Sequence, residues 1–152
     1  MKNLAFSVSV VLSLLGNISS AACECDLDQE LEALTPKFER LKRIGVTADS
    51  KEHIRLKLKF DTLFKLKKWP PEQGEKLYYE LIANMQKPAK KSYDGALKAA
   101  AKIKAKAADK DPATCKELSR LDKYISTIFS LHLAGFRKLE ATVDKSIESI
   151  QP

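Results

Sequence analysis

The chain has 152 residues, 27 of them Lys or Arg against 20 Asp or Glu, and a formal net charge of +7. That length makes one domain able to bury a single core, which excludes dependence on a metal or a dense disulfide net. Five glycines, few β-branched runs and abundant Ala, Leu, Lys and Glu predict an all-α fold, a compact bundle of about five helices after a cleaved N-terminal signal peptide.

The first segment, MKNLAFSVSVVLSLLGNISSAAC, has Lys2, an apolar stretch from Leu4 to Leu15, and the small residues Ser20-Ala21-Ala22. That three-part pattern is a secretory signal over residues 1–22, leaving 23–152 as a single helical domain. The apolar stretch is about a dozen residues, short of the roughly 20 a membrane helix needs. No later stretch free of charge reaches the length of a membrane helix, so the expected product is secreted and extracellular, with no membrane span.

Two of the three cysteines, Cys23 and Cys25, fall at this boundary, and the third is Cys115. Thiols of exported proteins are usually bonded. A bond between Cys23 and Cys25 would form a strained ring outside normal disulfide geometry. One of the two is therefore expected to pair with Cys115, and Cys25 is the preferred one because Cys23 would lie at the frayed terminus, left as a spare thiol. A spare thiol is free or joins a second chain as a disulfide-linked homodimer. A bacterial lipoprotein would carry lipid on Cys23, but that signal takes a large aliphatic residue where this chain has Ser20.

Asp26 suits the cap of a first helix whose early carboxylates Asp28, Glu30 and Glu32 fit a positive helix end. Leu27, Leu31, Leu34, Phe38 and Leu41 make one apolar face, Pro36 suggests a kink, and Gly45 a stop. In DSKEHIRLKLKFDTLFKLKKWPP the residues Ile54, Leu56, Leu58 and Phe60 alternate like a strand. Leu56, Phe60, Leu63 and Phe64 follow helical spacing instead. With no second strand to pair with, a helix capped by Asp49 or Ser50 is expected. Pro70-Pro71 opens a third helix with Leu77, Leu81 and Met85 inward and Tyr78 and Ile82 beside them. Lys87-Pro88 is expected to separate it from an Ala/Lys-rich helix with a thin stripe of Tyr93, Leu97, Ala100, Ile103 and Ala107. From Asp111-Pro112 onward, Leu118, Leu121, Ile125 and Ile128 make one stripe. Phe129, Leu133, Phe136, Val143, Ile147 and Ile150 make another, rotated from it. Two helices or one long bent helix satisfy that pattern, with Gly135 near the change.

The two histidines, His53 and His132, lie in different predicted helices, without cysteines or paired carboxylates at metal-ligand spacing. No phosphate loop, serine elbow or Cys-His signature is present, so the chain is expected to be no enzyme and to hold no cofactor. The lysines dominate. Residues 51–68 hold seven Lys or Arg against two acids, namely Lys51, Arg55, Lys57, Lys59, Lys65, Lys67 and Lys68. A second run, 87–110, includes Lys87, Lys90, Lys91, Lys98, Lys102, Lys104 and Lys106. Such runs either keep a face solvated or hold a protein partner, a polyanion or an anionic membrane surface through summed potential. Nucleic acid is a poor fit, because the product is expected to be exported and its basic residues are lysine far more often than arginine. Phe60, Phe64, Trp69, Phe129 and Phe136 offer an alternative, a cavity carrying a fatty acid or similar hydrophobic ligand.

From Trp69 to about residue 140 the chain resembles the SXP/RAL family of small secreted nematode proteins, many of them antigens or allergens. The likeness rests on Trp69, Gly74, Tyr78 or Tyr79, and Leu81. It continues through AKKSYDGALKAAAKIKAKAADKD and ELSRLDKYISTIFSLHLAGFRKLE. Pro70-Pro71 and the cysteines depart from the family pattern. The resemblance implies a helical domain, secretion and host-facing immunogenicity. It also implies a cation-binding role, for which no ligand residue maps onto this sequence. The expected function is a secreted, non-enzymatic helical protein that acts by binding through a lysine-rich face. Carriage of a hydrophobic ligand and a bacterial lipoprotein or periplasmic domain are the alternatives.

Overall fold

The structure is a computed structural model that describes residues 25–106 and 112–150. The expected leader and the spare thiol Cys23 lie outside the described residues. Four helices follow in order: α1 (Leu27–Gly45), α2 (Lys51–Leu66), α3 (Pro71–Ala105) and α4 (Pro112–Glu148). No strand occurs among the described residues, and none of their helices is long and apolar enough to cross a membrane.

Each start has a local cause. The Asp26 carboxylate accepts the Gln29 N–H at 3.1 Å, satisfying a donor the helix cannot. Ser50 does the same for α2 through the His53 N–H. Pro71 opens α3 at a position where a missing N–H costs nothing. The end of α2 is a Schellman turn. Lys68, at φ 55°, gives its N–H to the Lys65 carbonyl while Trp69 gives its own to Phe64. Trp69 then stacks on the Phe64 ring at 5.5 Å, the apolar contact that accompanies this motif.

Four helices, not five, is a correction, and Pro88 is the reason. It lies inside α3, on the exposed side, so the Asn84 carbonyl that it leaves without a helical donor faces water. On the buried side, about a quarter turn away, Ile82, Ala89, Ala96 and Ile103 lie at steps of seven, a coiled-coil stripe running past the proline unbroken. Pro36 is likewise exposed and inside α1. The Ala/Lys-rich half packs inward through alanine, with Ala89 and Ala96 fully buried. Ahead of it, Tyr78 and Ile82 are buried while Leu77 is exposed, reversing the expected order of inward positions. α4 is one continuous helix. Its two stripes merge because Ile128, His132, Phe136 and Glu140 follow at steps of four, a stutter that rotates the buried face without ending the helix.

The architecture follows from three ion pairs. Lys37–Asp122, Arg55–Glu140 and Lys59–Asp144 each join residues 85 apart in sequence. The same offset in α1 and in α2 means that both run parallel to α4, one after the other, in one register. α3 runs antiparallel beside them: Phe38 meets Tyr93, Gly45 meets Ala89, and Phe60 meets Tyr78. The domain is thus three rows of helix, with α1 and α2 sharing one row. At 1.5 Å per residue, residues 27–66 span about 60 Å and α4 about 55 Å, so the broken row matches the continuous one.

Gly45 is the last residue of α1, and its reason is proximity. A Cβ there would stand 2.6 Å from the Ala89 Cβ. Gly45→Ala is expected to destabilise by roughly 1–3 kcal/mol through overpacking. Gly95→Ala, where an added Cβ meets nothing within 4 Å, is expected to stabilise by about 0.5–1 kcal/mol. Urea unfolding of the two variants side by side checks this; shifts of the same sign would contradict the close approach.

Candidate functional site

The two basic runs meet different fates. On α2, the Arg55 guanidinium forks onto Glu140, with its Nη2 donating to Oε2 at 2.7 Å. Lys59 donates to Asp144 at 2.6 Å, and Lys57 reaches Asp61 at 3.1 Å while lying 5.6 Å from the Tyr78 ring centre. Lys67 sits 5.3 Å from the Trp69 ring. Lys51, Lys65 and Lys68 make no ion pair, but they stand at opposite ends of the helix, about 20 Å apart. The carboxylate that holds Arg55 raises that guanidinium's pKa, first by the hydrogen bond and then by charge. Arg55, Lys57 and Lys59, the middle of this run, therefore tie α2 to its neighbours.

On α3 the arrangement differs. Lys87, Lys91, Lys98 and Lys102 fall within about 60° on the helical wheel, opposite Ala89, Ala96 and Ile103. They form a row about 22 Å long. Lys87, Lys90, Lys91, Asp94, Gly95 and Lys98 line a shallow depression of about 570 Å³. None of these lysines makes an ion pair with a described residue, and Asp94 also stands unpaired among them. At the end of α3, Lys106 bonds Glu117 at 3.2 Å, closing the α3–α4 turn, while Lys104 is exposed and unpaired. The row is straight because α3 continues through Pro88. A break there would have turned Lys87 away from Lys98.

The five aromatic positions do not converge on one space. Phe60 packs on Phe64 at 5.4 Å and on Tyr78 at 5.6 Å, and Phe64 stacks on Trp69, filling the α2–α3 end with rings. Phe136 meets the His53 ring at 4.4 Å, and Phe129 is partly buried on α4. Cys25 and Cys115 form a disulfide, Cα to Cα 6.1 Å, linking the starts of α1 and α4. Beside it is a cleft of about 400 Å³ whose walls include Leu34, Lys37, Leu118 and Asp122. A third groove, about 440 Å³, opens between α2 and α3 over His53, Tyr78 and Ile82. Its polar groups are engaged: Tyr78 donates its hydroxyl to the His53 carbonyl at 3.2 Å, and Gln86 donates to the Val46 carbonyl at 3.0 Å. Burial raises the Tyr78 pKa, with the charges of neighbouring Tyr79 and Asp61 adding to it.

His53 is buried, and desolvation pushes its pKa down despite the charges of Glu52 and Asp49. His132 is half-buried and shifts the same way by desolvation alone. Among the described residues no group of three His, Cys, Asp or Glu side chains could hold a metal ion. Sequence reasoning missed Glu140, buried at 7% exposure and gripped by Arg55. Its signal was an acidic residue standing in the apolar rhythm of α4. No protein family, curated protein or solved structure matches the chain.

Proposed function

We propose that the protein is a secreted, non-enzymatic binding protein whose α3 lysine row docks on an anionic surface. The observation that carries this is the row itself: four lysines in line, outward and unpaired, on one continuous helix that fixes their spacing. Cations held this way act on an extended array of negative charge rather than on one small anion. No exposed aromatic interrupts the row, so attraction without insertion is the mode of binding. Secretion is supported by the leader pattern of residues 1–22 and by a disulfide that needs an oxidising compartment. The resemblance to SXP/RAL proteins supports the same extracellular, host-facing reading.

Two probes test it: heparin, and vesicles containing phosphatidylserine. Retention on one or both at low ionic strength, falling steeply as salt rises, is the expected result. Retention that ignores salt, or none on either probe, would leave the lysines as a solubilising face.

A further inference from the structure

The chain has two histidines, and the fold brings both to the place where the α1–α2 row is interrupted. The 85-residue offset sets His132 level with Thr47, inside the connection between the helices. His53 lies in the first turn of α2, 3% exposed, with its ring against Phe136, one turn beyond His132.

The surroundings of His53 favour its neutral form, the ring being buried against Phe136. Ser50 Oγ accepts the His53 backbone N–H and lies 2.9 Å from Nδ1. With the ring proton on Nε2, Nδ1 accepts the Ser50 hydroxyl while the Ser50 oxygen keeps the cap. A proton arriving on Nδ1 turns that acceptor into a donor, which turns the hydroxyl away and crowds a second N–H onto the oxygen that caps α2. The new charge would also face the positive end of α2. The charged and titratable groups around it are few. Arg43 from α1 is held on Asp49, Glu52 and Asp49 flank the cap, and Tyr78 from α3 is spent on the His53 carbonyl. From α4 come His132 and Glu140, the latter held by Arg55.

We infer that the α1–α2 junction is an acid-opened joint: protonation of His53 uncaps α2 and releases it from α3 and α4, while the disulfide keeps α1 attached. Release uncovers Leu56, Phe60 and Leu63, all buried in the closed fold. The sign follows from the direction of the shifts. Both imidazoles titrate lower in the fold than their ordinary 6.5, so the folded joint is fully stable above that pH and weakens as pH falls through the folded values. His53 contributes up to about tenfold per pH unit to the opening equilibrium between 6.5 and its folded value.

The test is hydrogen exchange of the oxidised full chain from pH 7.5 to 4.5, corrected for intrinsic rates, beside an NMR titration of the two imidazoles. Amides of 51–66 should lose protection in step with imidazole titration, while 116–130 of α4 stay protected. His53→Leu should flatten the response; if that variant does not fold, the coincidence of the two wild-type titrations decides. Protection of α2 that persists after both imidazoles have titrated, or loss that tracks the carboxylates alone, would overturn the joint.

Discussion

A Cys25→Ala/Cys115→Ala variant is expected to unfold with about 4–5 kcal/mol less free energy than the oxidised protein, with its helix content unchanged. The bridge joins residues 90 apart, and closing so long a loop removes that much entropy from the unfolded chain in the chain-entropy model. A domain of this size has a total stability of about 5–15 kcal/mol, so the bridge is a large part of it. The geometry explains why nothing else replaces it. α1 enters the bundle at Leu27, two residues after the bridge; besides the packing of Leu27, Leu34 and Leu41 in the core, the only polar tie from α1 to α4 among the described residues is Lys37–Asp122, a half-exposed pair of the kind worth at most about 1 kcal/mol. Urea unfolding with circular dichroism reads both quantities. A loss below about 1 kcal/mol would mean that packing alone holds the α1 end.

Phe136→Ala should cost about 3–5 kcal/mol, the usual range for emptying a buried aromatic site. Phe136 is 1% exposed and sits where α4 passes the start of α2, against the His53 ring at 66° between planes. The surrounding atoms belong to long helices whose register is set elsewhere by ion pairs, so the site has little freedom to collapse. Tyr124→Ala on the same helix, 47% exposed, should change stability by no more than about 0.5 kcal/mol. Equal effects from the two would contradict the placement of the core on the Phe136 side of α4.

Helix identity and caps were legible because their causes are local: Asp26, Ser50 and Pro71 each act within one turn. The Cys25–Cys115 pairing was legible in two steps: the Cys23–Cys25 ring is forbidden, and Cys23 falls at the expected frayed terminus. Pro88 misled, since a Lys-Pro step ends a helix in isolation. Tertiary packing of Ile82, Ala89, Ala96 and Ile103 outweighs one lost hydrogen bond on the wet side. Which lysines are spent and which stay available was not legible at all. Arg55 and Lys59 differ from Lys87 and Lys91 only in having Glu140 and Asp144 across an interface, and that register is a property of two helices 85 residues apart. The meeting of His53 and His132 at one joint has the same origin.

Binding through α3 is tested most directly by two variants of equal net charge, Lys87→Gln/Lys91→Gln/Lys98→Gln and Lys51→Gln/Lys65→Gln/Lys68→Gln, compared on the anionic probe that retains the parent. The α3 variant should elute at much lower salt, with the slope of log affinity against log salt reduced by about 2–3, as for the loss of three contacts to a polyanion. The α2 variant should elute close to the parent protein. Equal weakening of the two would show that net charge, and not the α3 row, does the binding.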